Sequence, residues 1–301
     1  MSEIGIGAWQ LGESSDWTSM SEKEAVELVH KALDQGVNFF DTAPNYGLGT
    51  SEERLGKALK EVARDRVVIN TKFGHSVTGE TNFESSVIRE SLEGSLQRLK
   101  TDYLDSLIIH NPSFEYLDGN RTDHYEILEK LVEEGKIRAY GASLDTYDEM
   151  KLLMDTTGSR VIEAFFNILF QDTARAFDQA KEQEVAIIAK IPLDSGWLSG
   201  KYTAETEFED IRKRWSAEDK RVRAGLVEQV KQLLPDDIPL SQAALSFCLA
   251  FDAVSTVIPG NRTLSQLQSN LESAGHPLPA EVVGKLREFY REKVAPLNLP
   301  W

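Results

Sequence analysis

Cysteine is almost absent from this chain. Its one thiol, Cys248, can form no intramolecular disulfide, and it lies in the apolar run Ala243-Ala244-Leu245-Ser246-Phe247-Cys248-Leu249-Ala250, where a packed core thiol is expected. Long hydrophobic runs are missing too. No apolar stretch reaches the roughly 18 residues a membrane span needs, and Met1 to Gly7 has neither the basic nor the apolar segment of a secretory leader. The chain therefore reads as cytoplasmic, with no membrane partner. Cations are scarce, with 33 Lys plus Arg against 49 Asp plus Glu and a formal charge of -16. Such a surface repels phosphodiester backbones and argues against a nucleic-acid partner. It does not forbid a small anion, because a few Lys and Arg in a cleft override a distant field that salt screens beyond about 10 Å at 0.1 M. No G-x-G-x-x-G fingerprint occurs: Gly5-x-Gly7 is followed at the required place by Gln10, and Gly47-x-Gly49 by Glu52, so nothing calls for a second nucleotide-binding domain. The five histidines, His30, His75, His110, His124 and His276, are scattered rather than grouped as the ligands of a metal-dependent hydrolase, and no metal is expected.

What is present is an ordinary globular composition, 41% hydrophobic and 27% charged. Short β-branched runs alternate with segments of helical period. Strands are predicted at Ile4-Gly7, Val37-Asp41, Val67-Lys72, Leu104-His110, Ile137-Ser143, Val161-Asn167, Val185-Ile191 and Val254-Ile258. Helices are predicted at Ser21-Gln35, Ser51-Val62, Phe83-Lys100, Asp123-Glu134, Tyr147-Thr156, Thr173-Glu184, Pro239-Phe251 and Thr263-Ser273. Strict alternation of eight and eight points to an α/β fold, a closed (β/α)8 TIM barrel rather than an open doubly wound sheet, with residues 1–301 forming one domain. Ser21-x-x-Glu24 reads as a capping box, and Ser51 before Glu52 and Glu53 as a helix cap followed by two acids. Two segments exceed the eight-fold pattern. Pro192 to about Leu234 mixes Trp197, Lys201, Tyr202, Arg212, Lys213, Arg214 and Trp215, and suits a flap over an anionic ligand after strand seven. Pro279 to Trp301 forms a C-terminal helical tail.

Chemistry in such barrels sits where the strands end. Strand two ends at Asp41 and runs into Thr42-Ala43-Pro44-Asn45-Tyr46-Gly47, strand three ends at Lys72 and strand four at His110. An acid, a phenol, an amine and an imidazole thus converge on one mouth. Tyrosine, with an ordinary pKa near 10, donates a proton poorly at pH 7, and a neighbouring ammonium such as Lys72 favours its phenolate. Asp41 would hold Lys72 charged, while His110 could donate to an oxygen being reduced. None of the four supplies electrons, so a cofactor must. A barrel glycosidase would need carboxylates near strands four and seven, which end instead at His110 and in Ile191-Pro192.

Over nearly its whole length the sequence resembles the aldo-keto reductase superfamily. The matching words are Gly5-Ile6-Gly7-Ala8-Trp9, Phe39-Phe40-Asp41-Thr42-Ala43-Pro44-Asn45-Tyr46-Gly47, Thr71-Lys72, Tyr103-Leu104-Asp105 leading to His110, Gly141-Ala142-Ser143, Pro192-Leu193 with Leu198-Ser199-Gly200-Lys201-Tyr202, and Ile258-Pro259-Gly260. The resemblance implies a catalytic tetrad of Asp41, Tyr46, Lys72 and His110, with Tyr46 as general acid, NADPH (NADP) as cofactor and a small-molecule carbonyl substrate. It also implies a dinucleotide lying across the barrel mouth, its adenosine phosphate end at the loop after strand eight. There Gly260, Asn261 and Arg262, with Gln266 and Asn270 on the following helix, are expected to hold it, Gly260 by close backbone approach and Arg262 as a planar cation. Thr263-x-x-Gln266 reads as a capping box beside them. Ser143 and Glu163 match the residues that hold the nicotinamide carboxamide, and Lys190 the place of ring stacking. Trp9, Asp41, Ile191, Pro192, Leu193, Ser195, Gly196, Lys201 and Arg214 complete the expected cofactor contacts.

Several positions depart from the family pattern. Glutamine is common where Glu163 stands and an aromatic where Lys190 stands, while Leu144 and Ser269 replace polar residues. Relatives usually carry an N-terminal hairpin, whereas here Met1 lies almost directly before strand one. Trp9, Tyr46, Phe73, His75, His110 and Trp215, with Phe114, are the candidate substrate pocket, an aromatic set suited to apolar aldehydes. The competing reading from another class is an NADPH-binding regulatory subunit resembling potassium-channel β-subunits, against which the intact tetrad argues. The sequence leaves the oligomeric state open, a monomer included.

Overall fold

The computed structural model describes residues 1–13, 16–17 and 20–300. Eight parallel strands follow one another in chain order: β1 (Ile6–Gly7), β2 (Phe39–Asp41), β3 (Val68–Phe73), β4 (Leu104–His110), β5 (Ile137–Leu144), β6 (Val161–Phe165), β7 (Ala186–Lys190) and β8 (Val254–Val257). Parallel bridges Ile4–Val257 and Gly7–Gly260 join the last strand to the first, so the sheet curls back on itself as a (β/α)8 barrel does. Between strands lie α1 (Glu22–Asp34), α2 (Thr50–Ala58), α3 (Ile88–Leu99), α4 (His124–Glu133), α5 (Tyr147–Thr156) and α6 (Phe177–Glu182). The stretch from β7 to β8 carries two helices, α7 (Ala217–Lys231) and α8 (Leu240–Leu249); α9 (Leu264–Glu272) and α10 (Ala280–Phe289) follow β8. Trp301, the end of the predicted tail, lies outside the described residues.

Every predicted strand and helix has a counterpart within a few residues. The largest differences are at Phe83-Lys100, where a 3₁₀ turn over Ser85–Val87 precedes an α-helix starting only at Ile88, and at Thr173-Glu184, where a 3₁₀ turn over Asp172–Ala176 leaves only Phe177–Glu182 as α-helix. Local chemistry explains the clean starts. Ser21 accepts from the Glu24 amide while the Glu24 carboxylate accepts from the Ser21 amide at 2.9 Å, and Thr146 with Glu149 repeats the reciprocal pair at α5. Two caps differ from expectation. Ser51 is not a cap, because the chain has already turned at Gly49 (φ 94°); its hydroxyl instead donates to Ala8 O at 2.7 Å, tying α2 to β1. Thr263 does cap α9, but the Gln266 side chain accepts from the Arg262 amide at 2.8 Å, so the box is left open.

Strands point successive side chains to opposite faces, and the two apolar clusters follow that rule. Ile69, Phe73, Leu107, Ile109, Ile187 and Ala189 belong to the large core between sheet and helices. Phe39, Ile108, Val161, Ile188 and Ile258 form a small cluster on the other face, inside the barrel. Cys248 lies fully buried in the large core, its Sγ 3.6 Å from Phe166 O, and burial raises its thiol far above the ordinary range. Among the described residues, no helix is long and apolar enough to cross a membrane.

Candidate active site

The interior row of each strand, followed two residues further toward its carboxyl end, becomes polar. Phe39 gives way to Asp41, Ile108 to His110, Val161 to Glu163 and Ile188 to Lys190, while β3 places Asn70 and Lys72 on the same face and β5 ends in Ser143. The register fixes neighbours: Asp41 lies beside Asn70, Lys72 beside Ile108, His110 beside Ser143 and Ser143 beside Glu163. One layer of the barrel is thus apolar and the next is a ring of titratable groups.

Lys72 is the centre of that ring and is completely buried. Its Nζ donates to Asp41 Oδ1 at 2.6 Å and Oδ2 at 2.8 Å and to Thr42 O at 3.0 Å, and Glu163 Oε2 stands 3.0 Å away as a second ion-pair partner. Asn70 donates a further hydrogen bond to Asp41 Oδ1 at 2.7 Å. Burial draws the lysine pKa down, but the two carboxylates outweigh it and hold Lys72 charged, above the ordinary lysine range. Two acids on one ammonium cannot both be fully compensated. Burial and the Glu163 charge push Asp41 up to about 7 against the pull of Lys72, whereas Lys72 and Lys190 together lower Glu163 despite its burial.

Tyr46 stacks on Trp9 with ring centres 5.6 Å apart and meets His110 edge-on at 5.7 Å; the Lys72 ammonium stands 5.1 Å from its ring centre. Burial raises the phenol above its ordinary value and prevails over Lys72, which lowers it. The expectation that Lys72 lowers Tyr46 holds in direction, but desolvation is the larger effect and the net shift is upward. His110 is held well below the ordinary imidazole value, first by burial and then by Lys72, His75 and Lys190. Neutral His110 can donate from one nitrogen, and its Nδ1 is buried without a hydrogen-bond partner among the described residues. Long-range nitrogen–proton NMR should find that the His110 ring does not titrate between about pH 5 and 8. The unfolded chain takes up that proton near 6.5, so His110 contributes stability above about pH 6.5 that is lost as the pH falls. A normal imidazole titration would contradict the burial argument.

Gly47 makes the turn after Tyr46 possible. It has φ 59°, and a Cβ placed there would come within 2.4 Å of Glu13 N and 2.4 Å of Thr50 Oγ1. Gly47→Ala should cost about 1 to 2 kcal/mol for the left-handed backbone alone, measured by denaturant titration. Unchanged stability would show that this loop adjusts freely.

Other expected residues fall in varied places. Ser143 donates to Glu163 Oε1 at 3.2 Å and accepts from Lys190 at 2.8 Å. Lys190 is no free stacking platform: its ammonium is pinned by Asn111 Oδ1 at 2.7 Å, Ser143 and Asp145 at 2.8 Å. Phe73 is fully buried against His124, one residue out of phase with Lys72 and therefore on the helix side, so it leaves the candidate pocket. Trp215 is also buried, in a cage with Trp197, Phe208 and the guanidinium of Arg214. His75 remains at the mouth, edge-on to His110 at 4.9 Å, and Phe114 is 53% exposed on the loop after β4.

The chain after β7 is strained, with positive φ at Ile191 (54°), Asp194 (46°), Ser195 (51°) and Gly196 (98°). Pro192 is buried and Leu193 half-buried; Lys201 and Arg214 are exposed beyond them. A fully buried Asp194–Arg223 ion pair at 3.2 Å and the Arg223 bond to Pro300 O anchor the segment. After β8, Asn261 and Asn270 are buried and bond each other at 2.8 Å, with Asn261 also donating to Pro259 O at 3.0 Å, so their amides brace the loop. Gly260 is exposed, and the side-chain amide of Gln10 lies where a Cβ would go, 2.4 Å from it. The guanidinium of Arg262 makes no direct ion pair or side-chain hydrogen bond among the described residues, though its charge acts on Asp210 at longer range. Sequence reasoning missed Asn70, Gln10, Asn111 and Asp145. Asn70 was within reach of it, two residues before Lys72 and hence on the same face.

All described buried side-chain polar atoms without a hydrogen-bond partner, among them Gln10 Oε1, Asn45 Oδ1, His110 Nδ1, Asp145 Oδ1 and Glu163 Oε2, lie at strand carboxyl ends or in the excursion after β7. Asp145 Oδ1 and Glu163 Oε2 are offset by the Lys190 and Lys72 ammoniums; the others cost about 1 to 3 kcal/mol each when unsatisfied, and their confinement to one end marks the face built to meet a polar ligand.

Comparison with known proteins locates this architecture. A family model described as "Aldo/keto reductase family" matches residues 3–291. Aldo-keto reductase YhdN of Bacillus subtilis (strain 168) is 34% identical over 218 residues, 70% of this chain and 65% of its own length, so the match spans less than two thirds of that relative. The NADH-specific methylglyoxal reductase of Escherichia coli (strain K12) is 27% identical over 298 residues, 90% of this chain and 89% of its own. Among solved structures, the holo form of aldo-keto reductase AKR11C1 from Bacillus halodurans superposes with a TM-score of 0.80 at 27% identity, covering 95% of this chain and 91% of that one.

Proposed function

The chain belongs to the aldo/keto reductase family, and from that premise we propose that it is an NADPH-dependent carbonyl reductase, folded as one domain, in which Tyr46 delivers the proton to the oxygen of an aldehyde or ketone. The observation that carries this reading is the buried Asp41–Lys72 pair, 2.6 Å apart, lying beneath a tyrosine whose ring faces His110. Asp41 keeps Lys72 charged; Lys72 favours the phenolate that remains when Tyr46 has given up its proton; neutral His110 offers a hydrogen bond to the same oxygen.

The residues present fit a nicotinamide dinucleotide. The orphaned polar atoms of the mouth include the acceptors Gln10 Oε1 and Asn45 Oδ1, an imidazole nitrogen and the Trp17 indole N–H, suited to an amide and to hydroxyls, and the guanidinium of Arg262 at the start of α9 is suited to a phosphate. Ser143 and Glu163 would hold the carboxamide, and Arg262 with the backbone around Gly260 the adenosine phosphate; Lys201, Arg214 and the strained turn at Ser195 and Gly196 form the flap over the middle. When bound, NADPH supplies the hydride that none of these side chains can. Trp9, Tyr46, His75 and His110 would wall the substrate pocket. Family membership alone does not choose the coenzyme, since the Escherichia coli relative is by name NADH-specific; the choice of NADPH rests on Arg262.

NADPH oxidation followed with an aromatic aldehyde tests the proposal. Turnover near one per second is the expected result, whereas tight NADPH binding with negligible turnover across a panel of aldehydes and ketones would make the chain a coenzyme-binding regulator instead.

A further inference from the structure

An ammonium has three protons to donate. Around Lys72 there are four acceptor atoms within 3.0 Å: both oxygens of Asp41, the Thr42 carbonyl and Glu163 Oε2. Tyr46, itself within hydrogen-bonding reach of the ammonium, competes with these four for its three protons. The second carboxylate is the unusual member of this set, because Asp41 already balances the charge of Lys72.

Glu163 is itself poorly provided for. It is 2% exposed, yet Oε1 receives one long hydrogen bond from Ser143 at 3.2 Å, Oε2 meets Lys72 at 3.0 Å without a well-directed hydrogen bond, and the remaining neighbour within reach, Asp41, is itself an acid. A carboxylate accommodates about four donors and is acceptor-only. What completes it must therefore bring N–H or O–H groups, and the Ser143 hydroxyl, already shared with Lys190, cannot bring more.

We propose that Glu163, by sharing the Lys72 ammonium, weakens the Lys72–Tyr46 contact in the free protein and lets it strengthen when an amide donor of a bound ligand takes over the Glu163 carboxylate. Binding at the ends of β5 and β6 is thereby coupled to the proton donor after β2, through one shared ammonium. No bond is made or broken; the Lys72 protons and field are redistributed from Glu163 toward Tyr46. Glu163 is on this view a positioning residue, and the inference rests on the reading of Tyr46 as the acid. The charged and titratable groups facing Tyr46 and Lys72 are Asp41, Glu163, His110, His75 and Lys190, and of these Glu163 is the one whose partner would change on binding an amide.

The test is the titration of Tyr46, followed by NMR of ring-¹³C-labelled tyrosine and assigned by the signal lost in Tyr46→Phe, with and without saturating NADPH. In the wild type the midpoint should lie above the ordinary value of about 10 and fall when NADPH binds. In Glu163→Gln without ligand it should already lie about one pH unit or more below the wild type, a tenfold change in the ionisation constant, and NADPH should move it less than half as far. Glu163→Asp, which keeps the charge but draws it back from Lys72, should fall between the two and guards against a Gln variant that misfolds. Equal midpoints for free wild type and free Glu163→Gln, or an NADPH shift of the same size in both, overturns the proposal. If Tyr46→Phe retains turnover, the acid assignment fails independently of whether this coupling is found.

Discussion

Tyr46→Phe is expected to lower carbonyl turnover by about 10²-fold or more, the range typical of losing a general acid, while the dissociation constant for NADPH changes little. The substitution keeps the ring that stacks on Trp9 at 5.6 Å and meets His110 at 5.7 Å, and removes only the hydroxyl. The site is therefore left packed, and the loss falls on the proton. The buried phenol stands above its ordinary pKa, so in the free protein it is fully protonated throughout the neutral range and the acid form is never limiting. What limits donation is the stability of the phenolate left behind, and Lys72 is the one cation 5.1 Å from the ring centre that supplies it. Steady-state kinetics and a coenzyme titration on the same preparations separate the two quantities. Turnover at the wild-type rate in Tyr46→Phe would remove Tyr46 from the chemistry, and a coenzyme affinity that collapsed in parallel would recast it as a binding residue.

How far this was legible in the sequence depends on the range of the interaction. Strand ends are local: a β-branched run stopped by Asp41, Lys72 or His110 is visible as such, and a parallel barrel brings successive strand ends to one mouth, so three distant residues could be placed together before any distance was known. The two-residue period of a strand was equally available, and it explains the one pocket residue that fails outright. Phe73 follows Lys72 and must face the helices, where it is completely buried. Contacts between non-neighbouring strands were not legible. That Lys190 would be tied to Asn111, Ser143 and Asp145 rather than left to stack on a ring depends on loops after β4 and β5 whose course no local pattern fixes. Ser51 shows the same limit on a smaller scale: followed by two acids it looks like a cap, but Gly47 and Gly49 turn the chain earlier and leave its hydroxyl to bond Ala8.

The departure at Glu163 joins the two kinds of information. The sequence marks the residue as unusual for the family it resembles, and only the geometry explains the consequence, a second carboxylate 3.0 Å from the Lys72 ammonium. Burial first, and then the charge of Glu163 beside it, raises Asp41 to about 7, while Lys190 helps to hold Glu163 ionised. In a site so arranged the two carboxyls titrate as a coupled pair, and Asp41 is the one pushed up while Glu163 is held down.

NADPH should bind more tightly than NADH by roughly ten- to a hundredfold, and Arg262→Ala should erase most of that difference. Arg262 follows the Pro259–Gly260 turn and directly precedes the Thr263 cap of α9, so its guanidinium and the positive end of the helix address the same region. Unlike Arg223, locked to Asp194 at 3.2 Å, or Arg212, bound to Asp210, Arg262 makes no direct ion pair among the described residues; its charge acts on Asp210 only at longer range, so no close contact has to be given up to a ligand anion. A charge-assisted hydrogen bond contributes about 1.5 to 3 kcal/mol, and at roughly 1.4 kcal/mol per tenfold one such contact to a 2′-phosphate accounts for the stated range. The chain as a whole carries a formal charge of -16, which opposes any phosphate, so the preference depends on a short-range cation acting against a long-range field. Salt weakens both but at different distances. The overall repulsion is screened once the Debye length falls to about 10 Å, near 0.1 M, while a direct contact with a half-buried arginine persists until higher concentrations. The ratio of the two affinities should accordingly shrink with salt more slowly than the affinity of either coenzyme for an exposed basic patch would. Dissociation constants for NADPH and NADH, measured on wild type and Arg262→Ala at low and high salt, test each step. Equal affinity of the wild type for the two coenzymes would refute the role given to Arg262, and a preference that survives Arg262→Ala would move the 2′-phosphate contact to Lys201 or Arg214 in the segment after β7.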